Sequence, residues 1–113
     1  MNHVSLDSFT LATFSPVINT IFRVRANDST WVELKLARAT PPRHSRPDAH
    51  DHKSFSLWFL GPNDQLLVQR LYSFEHDNIG RFDLFIVPVG RSEKGIEYQA
   101  VFNRAEPEPE MQA

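Results

Sequence analysis

The sequence predicts an all-β domain: a six-stranded antiparallel meander, closed as a small barrel or folded over as a compact sandwich, with a short N-terminal helical segment. Three observations carry this expectation. Apolar and polar residues alternate with period two through most of 19–104, the pattern of half-buried strands. Breaker clusters recur at Asn27-Asp28-Ser29, Gly61-Pro62-Asn63-Asp64, Asp77-Asn78-Ile79-Gly80 and 90–95, which leaves no room for long helices. A length of 113 residues, 41% of them hydrophobic, supplies one core rather than two.

The elements follow in order. Within 6–18, Asp7 or Ser8 caps a short helix carrying Phe9, Leu11 and Phe14, and Pro16 stops it. One or two such turns would close an end of a barrel. In the strand 20–26, Phe22 and Val24 oppose Arg23 and Arg25; in 31–39, Val32, Leu34 and Leu36 oppose Glu33, Lys35 and Ala37. A three-residue loop at 27–29 sets Val24 against Val32. The same register then pairs Phe22 with Leu34, Arg23 with Glu33 and Arg25 with Trp31: one apolar, one ionic and one cation–π pair. Further strands are expected at 54–60, 66–75, 81–89 and 96–103, with the register of 66–75 open because Leu67 and Val68 each suit the core.

Segment 82–89, FDLFIVPV, breaks the alternation, since only Asp83 interrupts its apolar run. Such a strand is covered on both faces. Phe82, Leu84 and Ile86 join the core. Phe85 and Val87, with Val89, Trp58 and Leu60, need a second cover, supplied either by the N-terminal segment through Phe9 and Phe14 or by another subunit. Trp58, Phe85 and Val87 are therefore the predicted interaction surface.

Residues 1–104 read as the single β domain and 105–113, with Glu106, Pro107, Glu108, Pro109 and Glu110, as a disordered acidic tail. The absence of cysteine excludes disulfides, thiolate metal sites and cysteine nucleophiles. A net charge of −2 gives no bulk attraction to nucleic acid or lipid. No apolar run reaches a membrane span and Met1 to Thr10 lacks a basic signal-peptide start, so the expectation is a chain that is cytoplasmic at synthesis.

The loop 40–53 gathers His44, His50 and His52 near Asp48 and Asp51, the donor types of a metal site. A solvated proline-rich connection is the plainer account of the same residues, and no cofactor is expected. His44, Ser45 and Asp48 are too close in sequence to converge as a triad, and no GxSxG pattern occurs. Arg23, Arg25, Trp31, Lys35 and Arg38 share one face of the first hairpin, as a single-strand binder would arrange them, but their internal pairing favours an ordinary solvated face. Glu33, Asp83 and Glu97 sit at outward strand positions without a matched acid–base partner.

Phe82 to Gly90 (FDLFIVPVG) and Tyr98 to Asn103 (YQAVFN) resemble the closing pattern, D-L-F-x-V-P then Y-x-A-V-F-N, of an uncharacterised family of small bacterial all-β domains of unknown function. An early phenylalanine like Phe14, a strand like 20–24 and an L/Y-x-F/L-E-H element at Leu71 to His76 extend the resemblance over most of 6–103. It implies a compact β domain of bacterial origin, associated with phage-tail-like or fibre assemblies, and brings no activity to transfer. Asn19 stands where glycine is expected, and asparagine tolerates the same left-handed backbone. His76 and Pro88 are fixed points of the pattern with structural roles: a histidine bonding backbone at a turn entry, and a proline ending a strand.

The expected function is thus a non-enzymatic accessory, assembly or protein-interaction module. It would act through a protein partner or self-association, without nucleic acid or membrane. The alternatives are a barrel binding a small ligand in its interior, a single-stranded nucleic-acid binder and a metal-dependent enzyme.

Overall fold

The computed structural model describes residues 9–41 and 54–102. Six strands form: β1 (Ile21–Asn27), β2 (Thr30–Thr40), β3 (Phe55–Gly61), β4 (Arg70–His76), β5 (Gly80–Ser92) and β6 (Gly95–Phe102). They close into an antiparallel barrel in the order β1-β2-β3-β6-β5-β4. Closure removes every free sheet edge.

Closure as a barrel was one of the two expected outcomes, but the connectivity is not a meander. β3 pairs with β6 and β4 returns to pair with β1, so two three-stranded meanders are joined in a Greek-key arrangement. The connection 62–69 carries the chain across one end of the barrel. Leu67 is buried there and its N–H donates to the Tyr98 hydroxyl at 2.9 Å, while the Tyr72 hydroxyl donates to the Val68 carbonyl at 2.7 Å. This settles the open register: Leu67 faces in and Val68 faces out, both before β4 begins.

The first hairpin has the expected register, with Phe22 opposite Leu34, Arg23 opposite Glu33, Val24 opposite Val32 and Arg25 opposite Trp31. The Arg25 guanidinium lies 5.7 Å from the Trp31 ring centroid. The ionic partner differs. Arg23 Nε donates to Glu75 Oε1 at 3.2 Å and its Nη2 to Asp77 Oδ1 at 3.1 Å, because β4 lies on the other side of β1. Asn27 Oδ1 accepts the Ser29 N–H at 3.0 Å and shapes the turn.

β5 runs three residues past its expected end and turns tightly through Glu93-Lys94 into β6. Gly95 at φ 141 makes this turn, and a Cβ there would strike the Gly61 carbonyl oxygen. Pro88 does not end the strand. It sits inside β5 beside a bulge at Val89, a place where a missing N–H is tolerated.

The N-terminal segment forms a single helical turn, α1 (Leu11–Phe14), followed by a 3₁₀ turn over Ser15–Val17 that contains Pro16. Thr10 caps it: its N–H donates to Thr13 Oγ1 and its carbonyl accepts the Thr13 N–H, both at 3.0 Å. Asp7 and Ser8, the expected caps, lie outside the described residues. Among the described residues this segment does not cover the outer face of β5, where Phe85 stays exposed. Phe9 and Phe14 enter the barrel end instead: Phe9 meets Phe82 at 5.2 Å between ring centroids, and Phe14 lies 5.8 Å from Phe55 and 6.0 Å from Phe102. Eight of the nine phenylalanines are buried in this way. No helix among the described residues is long and apolar enough to cross a membrane.

Candidate functional site

Aromatic rings fill the interior, and the outside of the barrel is divided in character. Across β1, β4 and the start of β5 it is ionic. Arg23 and Arg81 both donate to Glu75, Arg81 Nη2 at 2.7 Å from Oε2, and Ser73 Oγ donates to Asp83 at 3.1 Å. The two guanidinium groups hold the Glu75 carboxyl below its ordinary value of 4.5, Arg81 contributing the larger part.

Further along the same strands the outer face is apolar. Phe85 is 48% exposed, directly opposite Leu71 on β4, which is 55% exposed. Val87 pairs with Gln99 on β6, and Gln99 pairs in turn with Trp58 on β3. Val101, 61% exposed, lies two residues beyond Gln99 on β6, and Val89 extends the face along β5. Trp58 forms the boundary. Its Nε1–H donates to Thr40 Oγ1 at 3.1 Å, and the Arg38 guanidinium lies 4.2 Å from its ring centroid. Hence the three predicted residues, Trp58, Phe85 and Val87, fall on one face, and alternation had missed two of its members, Leu71 and Val101. Their signal was present in the doublets Leu71-Tyr72 and Val101-Phe102, where an apolar residue occupies the outward position.

His76 lies at the opposite flank, buried against the Phe22 ring at 4.3 Å. Its Nδ1 accepts the Asn78 N–H at 3.0 Å, so the ring proton sits on Nε2 and is donated to Thr20 Oγ1 at 2.8 Å. Thr20 Oγ1 passes its own proton to the Val17 carbonyl at 2.6 Å. This chain ties the 3₁₀ turn, β1 and the β4–β5 turn together. Burial pushes the His76 imidazole below its ordinary 6.5, an effect opposed by Asp77 and reinforced by Arg23. With both nitrogens occupied, His76 is a clasp, as its place at a turn entry had suggested.

His44, His50 and His52 lie outside the described residues, as does 105–113. Among the described residues no cluster of His, Asp or Glu is arranged to hold a metal ion.

A family model for a domain of unknown function, DUF6916, matches residues 9–102. The chain belongs to this family. The DUF6916 match begins at Phe9, the first plug residue, and ends at Phe102, the last residue of β6, so the family unit is the plugged barrel itself. No curated protein and no solved structure matches the chain.

Proposed function

We propose that this DUF6916 domain is a non-enzymatic protein-interaction module that docks other protein chains, copies of itself included, through the outer face around Phe85. The observation that carries this reading is the placement of one phenylalanine. Eight of nine are buried, whereas Phe85 is exposed beside Leu71, Val87 and Val101 with no ionised side chain among them. Contiguous exposed apolar surface of this kind marks interaction sites on soluble domains, and an accessory role in a larger assembly, such as the tail-like or fibre assemblies noted above, agrees with it. A small ligand in the barrel interior has less support, because the interior rings pack against one another, Phe55 on Phe102 at 4.4 Å and Phe59 against Phe74 at 5.3 Å.

Light scattering from micromolar to millimolar concentration tests the reading on the full chain. Wild type is expected to associate with increasing concentration, and Phe85→Asp and Leu71→Asp to remain monomeric with unchanged thermal melts. A wild-type protein monomeric throughout the range, or one whose association survives both substitutions, would overturn it.

A further inference from the structure

The outer surface holds a second feature, distinct in chemistry from the apolar face. A groove of about 510 Å³ lies toward the other end of β3, β6 and β5 and reaches β2. Lys35, Arg91, Lys94 and Glu97 supply its charges. Glu97 is already engaged, since Arg38 Nη2 donates to its Oε2 at 3.4 Å. Arg91 donates only to the neutral Asn63 carbonyl, at 3.4 Å, and Lys35 and Lys94 make no ion pair among the described residues. Glu93, the carboxylate on the same turn as Lys94, is not part of the lining. The described residues carry eight Lys or Arg and eight Asp or Glu, so three uncompensated positive charges here are a local concentration within a neutral body. Such a concavity focuses field and attracts anions.

The backbone is shaped at the same place. β2 bulges at Ala37 and β5 at Val89, on opposite sides of the groove, and bulges bend a strand and re-aim its side chains. Ala37 and Gly90 leave the groove open down to the main chain; a Cβ at Gly90 would meet nothing within 4 Å. Asn19, on the rim, holds φ 75 with its N–H bonded to the Leu36 carbonyl at 2.7 Å. Left-handed backbone at a non-glycine residue persists where the surroundings fix it, often at ligand sites.

We propose that this groove binds a small multivalent anion, one presenting phosphate or clustered carboxylate oxygens to Lys35, Arg91 and Lys94. A compact ligand fits better than a nucleic-acid strand, because the cations surround one hollow rather than follow a track. The arginine that would extend a track onto β1, Arg23, is held by Glu75 and Asp77.

The test is an amide-shift NMR titration of the full chain with sodium pyrophosphate and, separately, with citrate, at constant ionic strength against chloride. The amides of Lys35, Gly90, Lys94 and Gly95 are expected to move on one saturable curve with at least one of the two anions, and the tighter one identifies phosphate or carboxylate as the preferred group. Lys35→Glu and Lys94→Glu should each weaken binding by about tenfold or more. Arg70→Glu, on a residue outside the groove, should leave it unchanged. All three positions are exposed, and a thermal melt of each variant confirms that it is folded. Shifts that do not saturate in the millimolar range with either anion, an equal loss with Arg70→Glu, or tighter binding of a Glu-Pro-Glu-Pro-Glu peptide than of both small anions would each overturn the assignment.

Discussion

Replacing Phe14 with alanine tests whether the N-terminal segment is part of the fold or merely precedes it. Phe14 is fully buried and its ring lies within 6.4 Å of the centroids of Phe9, Phe22, Phe55, Phe82 and Phe102. A buried aromatic side chain removes roughly 150–250 Å² from water, which at about 25 cal/mol per Å² bounds its hydrophobic contribution near 4–6 kcal/mol. Alanine retains a little of that, and its neighbours are rigid rings on closed strands that relax poorly into the space. The expected cost is therefore about 3–5 kcal/mol, the usual range for Phe to Ala in a core. For a domain of this size each kcal/mol lowers the melting temperature by roughly 4–8 °C, so the shift should exceed about 12 °C. Urea unfolding followed by far-UV circular dichroism measures it, with Phe14→Leu as a milder comparison that keeps most of the volume. Two-state unfolding with an unchanged urea dependence would locate the loss in the native state. A cost for Phe14→Ala below about 1 kcal/mol would refute the plug and return the segment to the role of a loose leader.

Two further predictions concern the polar flank. The lowered His76 imidazole binds its proton less readily folded than unfolded, so its contribution to stability is complete above about pH 6.5 and is lost as pH falls from there through the lowered folded value. His76→Gln should flatten stability against pH in that window, and a wild-type profile already flat there would contradict the buried clasp. For the ion pairs, a double-mutant cycle on Arg23→Gln and Glu75→Gln should depart from additivity, whereas one on Arg23→Gln and Glu33→Gln should not. Glu75, held below its ordinary 4.5, contributes above about that pH and loses its contribution as pH falls through the lower folded value, so its acid window is distinct from that of His76. Coupling to Glu33 in place of Glu75 would mean that β4 does not flank β1.

The inward faces of the strands were legible because each had one buried side. Phe22, Val24, Val32 and Leu34 could not exchange places with Arg23, Arg25 and Glu33 without moving charge into the core, so the first register followed from the pattern alone. Connectivity was not legible, because alternation carries no information about which strand lies beside which. β6 presents Ile96, Tyr98, Ala100 and Phe102 inward equally well against β3 or at a meander edge. The stretch 66–69 resembled strand for a similar reason: Leu66, Leu67 and Val68 are apolar, but Leu67 is buried by lying across the barrel end. The cationic groove was hidden because it depends on bulges at Ala37 and Val89, and a bulge reverses the inward and outward assignment of every residue after it.

What was legible about the candidate interaction face has a single physical source. An outward position on a solvated strand is free to be polar, and most here are: Arg23, Glu33, Lys35, Glu75, Arg81 and Glu97. A phenylalanine at such a position gains only about half of what full burial offers, since 48% of it stays in water, and roughly 0.7–1.5 kcal/mol of available burial goes unused. One exposed apolar residue would be unremarkable. Leu71, Phe85, Val87 and Val101 come from the three consecutive strands β4, β5 and β6 and are brought together by their hairpin pairings, to which the Greek-key pairing of β3 with β6 adds Trp58. Stray exposed apolar residues do occur elsewhere, Ile21 on β1 and Trp31 on β2, but singly rather than as cross-strand neighbours. The convergence of Leu71, Phe85, Val87 and Val101 on one face, further along the same strands from the flank where Glu75 binds two arginines, fits a surface completed by another chain.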